Sequence, residues 1–420
     1  MENAKDVSTS PTATVGSRGS VFKKILKIGG MLFALLILVA AYLFFFQLPH
    51  HTQSAAPAVV KPSGDKTLDS IRRGMEFLKV NQESDGEFSA GLIDPKPGFT
   101  ALVVDSIARS PDKYRETDQP FLKKAAEAII KHQQPNGSIG TPAFGLDTYT
   151  TACSILALTA VENPAYAKNV EKARDYLISV QYKDDEQNPN FGSAGYKTDG
   201  RTSGDVTANW IEALKAAGVK EGDPAFKNAE KFLSRLQNNE ETNPTKSADY
   251  DVGNDGGFIY RPGESKPADE KSKNGKRMPK SYGLMSYAGL KSFMYMDIPK
   301  ADPRVEAARK WVNDNFTLEE NRNIGADGLY YYFLTMAKAL SLYGDVEIKT
   351  SDGKVHNWAQ ELTDKLISMQ DPDGSWRNKA SKRWSEDDSV MVSAFAIRTL
   401  SICHDFLQKN GKLSATEPKP

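Results

Sequence analysis

The side chains best placed to do chemistry are carboxylates that stand where apolar helices begin. Asp147, Asp205 and Asp388 each open a run that is apolar on nearly every side, with Thr148, Thr207 and Ser389 close behind. A carboxylate there accepts the free N–H groups of the first helical turn and complements the helix dipole, so N-capping is the first role expected of all three. Carboxylates are densest in Ser385-Glu386-Asp387-Asp388-Ser389, directly before Val390-Met391-Val392. Tyr149, Trp210, Tyr282, Tyr287 and the run Tyr330-Tyr331-Tyr332 lie on the same apolar segments. Their rings could hold a cation, stack on sugars or simply pack. Successive helical residues point about 100° apart, so at least one of the three adjacent tyrosines must face inward.

Other chemistries find little support. The two cysteines, Cys153 and Cys403, form neither a disulfide framework nor a Cys-x-x-Cys metal pair. His132 stands alone and reads as a surface or half-buried histidine. No Ser-His-Asp, phosphate-loop or dinucleotide pattern is present, so neither a metal nor a cofactor is implied. The 420 residues balance 54 Lys and Arg against 54 Asp and Glu, which gives no field to attract nucleic acid.

The N-terminus addresses the chain to a membrane. Residues Ile28 to Phe46 form 19 consecutive positions without a charge, enough to cross a bilayer once as a helix. Arg18, Lys23, Lys24 and Lys27 precede this run, and no Lys or Arg follows until Lys61. The positive-inside rule then places 1–27 in the cytoplasm, 28–48 as an uncleaved anchor, and the remainder outside, the rival reading being a signal peptide cleaved at Ala56-Pro57-Ala58, against which the apolar run is long. Residues 49–66, with Pro49, Pro57, Pro62 and Gly64, read as a linker to a domain over 67–410, followed by a disordered tail over 411–420. No second spanning run is expected.

The elements that position the carboxylates repeat six times. Segments aligned on one column read Gln82, Gln133, Gln181, Gln237, Phe316 and Gln370. Four positions earlier stand Leu78, Ile129, Leu177, Leu233, Val312 and Leu366, and eight earlier stand Gly74, Ala125, Ala173, Ala229, Ala308 and Leu362. These offsets draw one apolar stripe on an amphipathic outer helix, with a small residue admitting a close neighbour. A second, more uniformly apolar helix follows each copy, over 99–108, 147–161, 205–217, 282–296, 329–343 and 388–403. Six buried helices inside six amphipathic ones predict an all-α protein, an α/α toroid whose closure removes both exposed ends.

The pattern at Arg73-Gly74, Phe77-Leu78, Gln82, Gly86 and Phe88, echoed by Leu366, Gln370, Gly374 and Trp376, resembles the Gln-Trp repeats of squalene cyclases and the related repeats of protein prenyltransferases. The resemblance spans roughly 68 to 408 and implies their toroid. Ser385-Glu386-Asp387-Asp388 is further similar to the Asp-x-Asp-Asp motif of class II terpenoid cyclases, which implies Asp387 as a proton donor beside Asp388. That role requires a carboxyl kept protonated by desolvation and a neighbouring carboxylate. Ser385 departs from the motif, and where such cyclases generally carry two α-barrel domains the residues here are expected to make one. The Asp-x-Cys and distant His that bind zinc in prenyltransferases have no counterpart.

Three functions remain open. The toroid binds a ligand or partner in its central pit, with Asp147, Tyr149, Asp205, Trp210, Tyr282, Tyr330 and Tyr331 lining it; or it cyclises a membrane lipid; or it processes a glycan, as other α/α toroids do. A narrow apolar pit around a desolvated Asp387 favours the cyclase, and an open groove with aromatic platforms favours glycans. Two long turns, 182–204 and 238–280, flank one mouth. The stretch 261–280, with seven basic and three acidic residues, reads as a mobile insertion or a lid.

Overall fold

A computed structural model describes residues 57–89, 96–141, 144–197 and 200–411. The cytoplasmic segment, the anchor 28–48, most of the linker and the tail beyond 411 lie outside the described residues. Residues 57–65 carry no helix or strand.

Twelve α-helices form among the described residues, in six outer–inner pairs: α1 (Lys66–Val80) and α2 (Lys96–Ala108), α3 (Pro120–Lys131) and α4 (Asp147–Ala160), α5 (Ala167–Ser179) and α6 (Gly204–Ala216), α7 (Pro224–Leu236) and α8 (Gly283–Tyr295), α9 (Pro303–Asp314) and α10 (Leu329–Tyr343), α11 (Trp358–Met369) and α12 (Ser389–Lys409). Each even helix packs on the next, and α12 packs back on α2, closing an inner ring of six. The inner helices fall within three residues of the expected spans at their starts, but α12 runs on to Lys409. It is long and apolar enough to cross a membrane, yet 89% of its apolar window is buried inside the ring. Two outer helices, α7 and α9, start where the sequence supplies both a cap and a proline. Asp223 accepts from Ala225 N ahead of Pro224, and Asp302 accepts from Arg304 N ahead of Pro303.

The aligned glutamines hold the outer helices together. Gln82 Nε2 donates to the carbonyls of Gly86 and Phe121, each at 2.9 Å. Gln133 reaches Gly137 and Asn169, Gln181 reaches Gly192 and Ala225, and Gln237 reaches Gly256 and Arg304. In every case one acceptor lies in the glutamine's own turn and the other in the first turn of the next outer helix. Gln370 repeats the pattern across the closure, donating to Gly374 O at 2.9 Å and Ser70 O at 3.0 Å while accepting from Ser70 Oγ. The turn glycine is required because it presses on that same neighbour in a left-handed conformation. A Cβ on Gly192 (φ 88°) would sit 1.9 Å from Asn228 O, and one on Gly374 (φ 88°) 2.5 Å from Arg73 O. The column's one exception substitutes packing for hydrogen bonds: the Phe316 ring lies against His356, centroids 5.0 Å apart, at the entry to α11. The small residue eight positions before the column also has a visible purpose, since the Trp376 ring occupies the space a side chain at Gly74 would need.

Breaking one tie should therefore weaken the whole ring. Gln181→Met keeps the bulk but leaves the Gly192 and Ala225 carbonyls short of a buried donor, and urea unfolding should show a loss of about 1–3 kcal/mol. An unchanged midpoint would mean that the tie contributes nothing.

Candidate functional site

The turns that lead from each outer to each inner helix emerge together and form one mouth of the ring. A hydroxyl on the inner helix anchors five of the six turns: Thr100 Oγ1 accepts from Phe88 N, Thr151 from Ile139 N, Thr207 from Ala194 N, Ser286 Oγ from Phe258 N, and Ser393 from Trp376 N. The free N–H groups opening several inner helices are satisfied by the next turn around the ring. Thr148 N donates to Tyr196 O, Gly204 N to Tyr260 O, Gly283 N to Arg322 O, and Tyr331 N to Glu386 Oε1.

This exchange reassigns the expected caps. Only Asp388 behaves as the local pattern suggests, its Oδ1 accepting from Val390 N and Met391 N at 3.0 Å. Asp147 and Asp205 lie inside their helices, at the first and second positions, and cap neither. Each keeps a buried Oδ1 without a hydrogen-bond partner. Burial raises the Asp147 carboxyl above its usual range, against the pull of Lys197. Asp205 Oδ2 accepts from the Tyr196 hydroxyl at 3.2 Å, and that hydroxyl also meets Tyr260. In the acidic triplet the buried member is Glu386, whose carboxylate receives Tyr331 N at 2.9 Å and Asn378 Nδ2 at 2.8 Å, thereby capping α10. Asp387 is exposed, with Lys382 Nζ 4.0 Å away. The desolvation that an alkene-protonating acid needs is absent there.

The tyrosines separate in the same way. Tyr149 and Tyr331 line a cavity on the ring axis, and Tyr331 is the inward member of its run. Trp210, Tyr282 and Tyr330 are almost fully buried in the walls, where Trp210 Nε1 donates to Leu177 O. Lining was expected of all of them, but the helix faces that carry these three pack on neighbouring helices. His132 is half-buried against Glu87.

Sequence reasoning missed the strongest feature of the axis. Five residues after each anchoring hydroxyl stand Asp105, Leu156, Glu212, Lys291 and Arg398, with Lys338 at the matching level of α10. Glu212 is 5% exposed and receives Lys291 at 2.8 Å and Lys338 at 2.6 Å. Burial alone would raise its pKa, but the two ammonium groups outweigh it and hold Glu212 well below the usual carboxylate range. Asp105 pairs with Arg109 at 2.7 Å and Arg398 at 3.4 Å. The signal was legible as a charge in the middle of each of five largely apolar helices, the sole charge in α8 and in α10. This girdle fills the axis and leaves a cavity of about 30 Å³.

The insertion 238–280 forms a strap at the mouth. Asn238 Nδ2 ties both of its ends by donating to Pro279 O and Ser281 Oγ, and a two-residue hairpin, β1 (Glu270–Lys271) with β2 (Arg277–Met278), stiffens its tip. It meets α6 at Tyr260, and its Lys266 lies 3.7 Å from the Tyr260 ring centre and 5.8 Å from that of Trp384. Since Trp384 precedes α12, opposite α6 in the ring, the strap crosses the opening. Burial lowers the Lys266 ammonium below its usual range, opposed by Asp205.

Comparison with solved structures identifies the architecture. A type II terpene cyclase, MstE, from Scytonema, solved with geranylgeranyl dihydroxybenzoate as its substrate, aligns over 81% of this chain and 98% of its own at 13% identity and a TM-score of 0.53. A family 76 glycoside hydrolase, a mannosidase from Bacteroides thetaiotaomicron, aligns over 83% and 100% at 13% identity and a TM-score of 0.51. The chain has the α/α-toroid fold of the terpenoid cyclases. No family model matches the sequence, and no curated protein matches it either. At such identities the likeness concerns the toroid alone, so the toroid's chemistry must come from its own side chains.

The caps provide a direct check on the assignments at the mouth. Asp388→Ala should cost about 0.5–2 kcal/mol. Asp147→Asn and Asp205→Asn, which relieve a buried and partly unsatisfied charge, should cost nothing or stabilise the toroid in thermal or urea unfolding. Equal losses for all three would restore the uniform capping role.

Proposed function

We propose that the toroid is a glycan-binding domain, held outside the cell by the anchor 28–48, and that it takes its ligand at the strapped mouth rather than in the pit. The observation that carries this reading is the placement of exposed aromatics. Among the described residues the two exposed aromatic side chains are Phe144 and Trp384, at 42% and 43% exposure, and both belong to mouth turns. Trp384 is also held in a left-handed backbone conformation (φ 57°, ψ 32°), followed by Ser385 at φ 61°. Each such residue costs on the order of 1–3 kcal/mol, and strain of this kind persists where a side chain must be presented. The turn holds the Trp384 ring over Gly328, where any Cβ would collide with it, and the Arg383 guanidinium lies 4.9 Å from its centre.

A flat exposed ring beside carboxylates and cations suits a sugar, which stacks its C–H face and hydrogen-bonds its hydroxyls. Asp147, Asp205, Arg201, Lys266 and Arg383 supply both kinds of polar partner around the opening. The mannosidase that shares the fold acts on a glycan and supports the class of ligand. A lipid cyclase finds no support in the pit, because a cavity of about 30 Å³ has room for a water or two and not for an isoprenoid chain.

Trp384→Gly tests the reading through two opposite changes. Calorimetric titration with soluble polysaccharides should show binding weakened about ten-fold through loss of stacking, while release of the left-handed strain raises stability by about 1 kcal/mol. Retained glycan affinity in this variant would remove the mouth from the account.

A further inference from the structure

We propose that the ring axis holds one small monovalent anion, of the size and charge of a halide, between Lys338 and Arg398. The site is separate from the glycan surface and does not depend on it. Its first support is charge. Four cationic side chains, the buried Lys291 and Lys338 and the partly buried Arg109 and Arg398, share the two carboxylates of Asp105 and Glu212. Buried cations in excess of their counter-charges are strongly unfavourable unless another anion joins them. Its second support is an unused donor. Arg398 Nε is buried and makes no hydrogen bond, lying 3.4 Å from Asp105 Oδ2 as an ion pair only.

The third support is space at the same place. The axial cavity of about 30 Å³ is bounded by Asp105, Tyr149, Asn209, Tyr331, Lys338 and Arg398. Asn209 Nδ2 donates to the Tyr331 hydroxyl at 2.7 Å, which leaves that hydroxyl's own proton to donate elsewhere. Lys338 gives an N–H to Glu212 at 2.6 Å and carries two more. Donors from α10 and α12 therefore converge on a space too small for a phosphate or sulfate with its hydration. A spherical anion satisfies donors without demanding lone-pair directions, which fits a cradle built from an ammonium, a guanidinium and a phenol. The Asp105 carboxylate at its edge is already engaged by Arg109 at 2.7 Å.

The test uses the full chain in detergent, prepared in sodium gluconate and titrated with sodium bromide at constant ionic strength. The expected result is a saturable rise in Tm with bromide or chloride and none with gluconate or sulfate, together with a single anomalous bromine peak between Lys338 and Arg398 in crystals grown with bromide. Asn209→Asp places a fixed carboxylate at the cavity and should fold without halide and lose the response. Arg398→Gln, which removes one cation, should lose the response as well. An equal response to bromide and gluconate with no bromine peak on the axis would overturn the proposal and assign the balance of charge to a neutral Lys291. The wild-type measurements decide the matter even if neither variant folds.

Discussion

A glutamine amide in five of the six repeats carries the architecture, with Phe316 packing on His356 in the remaining one. The amide's two N–H groups reach the carbonyl of its own turn and a carbonyl in the first turn of the next outer helix, so each helix pair is completed only by its neighbour. Repeated around a circle, this dependence has no free end. Gln370 meets Ser70 across some 300 residues of sequence, and His404 of α12 reaches Asp65, the cap of α1, at 3.2 Å. The turn glycines follow from the same constraint, because the carbonyl contacts draw the turn onto the backbone of the next helix where a Cβ has no room.

Closure determines what the centre can be. Six inner helices facing one axis leave a narrow bore, and here the bore is occupied by charges that pair around it: Glu212 of α6 with Lys291 of α8 and Lys338 of α10, and Asp105 of α2 with Arg398 of α12. A buried charge network of this kind is poor evidence for extra stability but good evidence against an apolar reaction chamber. The toroid shares its fold with a type II terpene cyclase and with a mannosidase, and its centre and mouth are set by its own side chains. They close the axis and place exposed aromatic surface at the mouth.

The helices were legible because a stripe at offsets of 3 and 4 recurs in all six outer helices and a Gln with a turn Gly follows it in five. The site was legible only in part. Asp147 and Asp205 look like caps because an acid followed by a hydroxyl residue opens each helix, but the acceptor for those helices comes from Tyr196 and Tyr260 on the next turn, a tertiary relation that no local pattern reports. Of the adjacent Glu386 and Asp387 it is Glu386 that is buried, as the cap of α10, while Asp387 faces solvent, a matter of one residue of register. Trp384 gave no signal, because a left-handed tryptophan is imposed by packing over Gly328 and not by its own preference. The axial charges, by contrast, were visible as charged residues within largely apolar helices, in stretches such as Ala337-Lys338-Ala339 and Ile397-Arg398-Thr399.

Native-state hydrogen exchange, read by mass spectrometry on the full chain, addresses ring closure most directly. If the ties make the ring one cooperative unit, the amides of α2 and α12, at opposite ends of the domain's sequence, exchange with the same free energy and the same denaturant dependence as those of α6 and α8. Exchange of α1 and α2 through an earlier, partial opening, while α6 to α10 stay protected, would contradict it and make the repeats a stack rather than a closed ring.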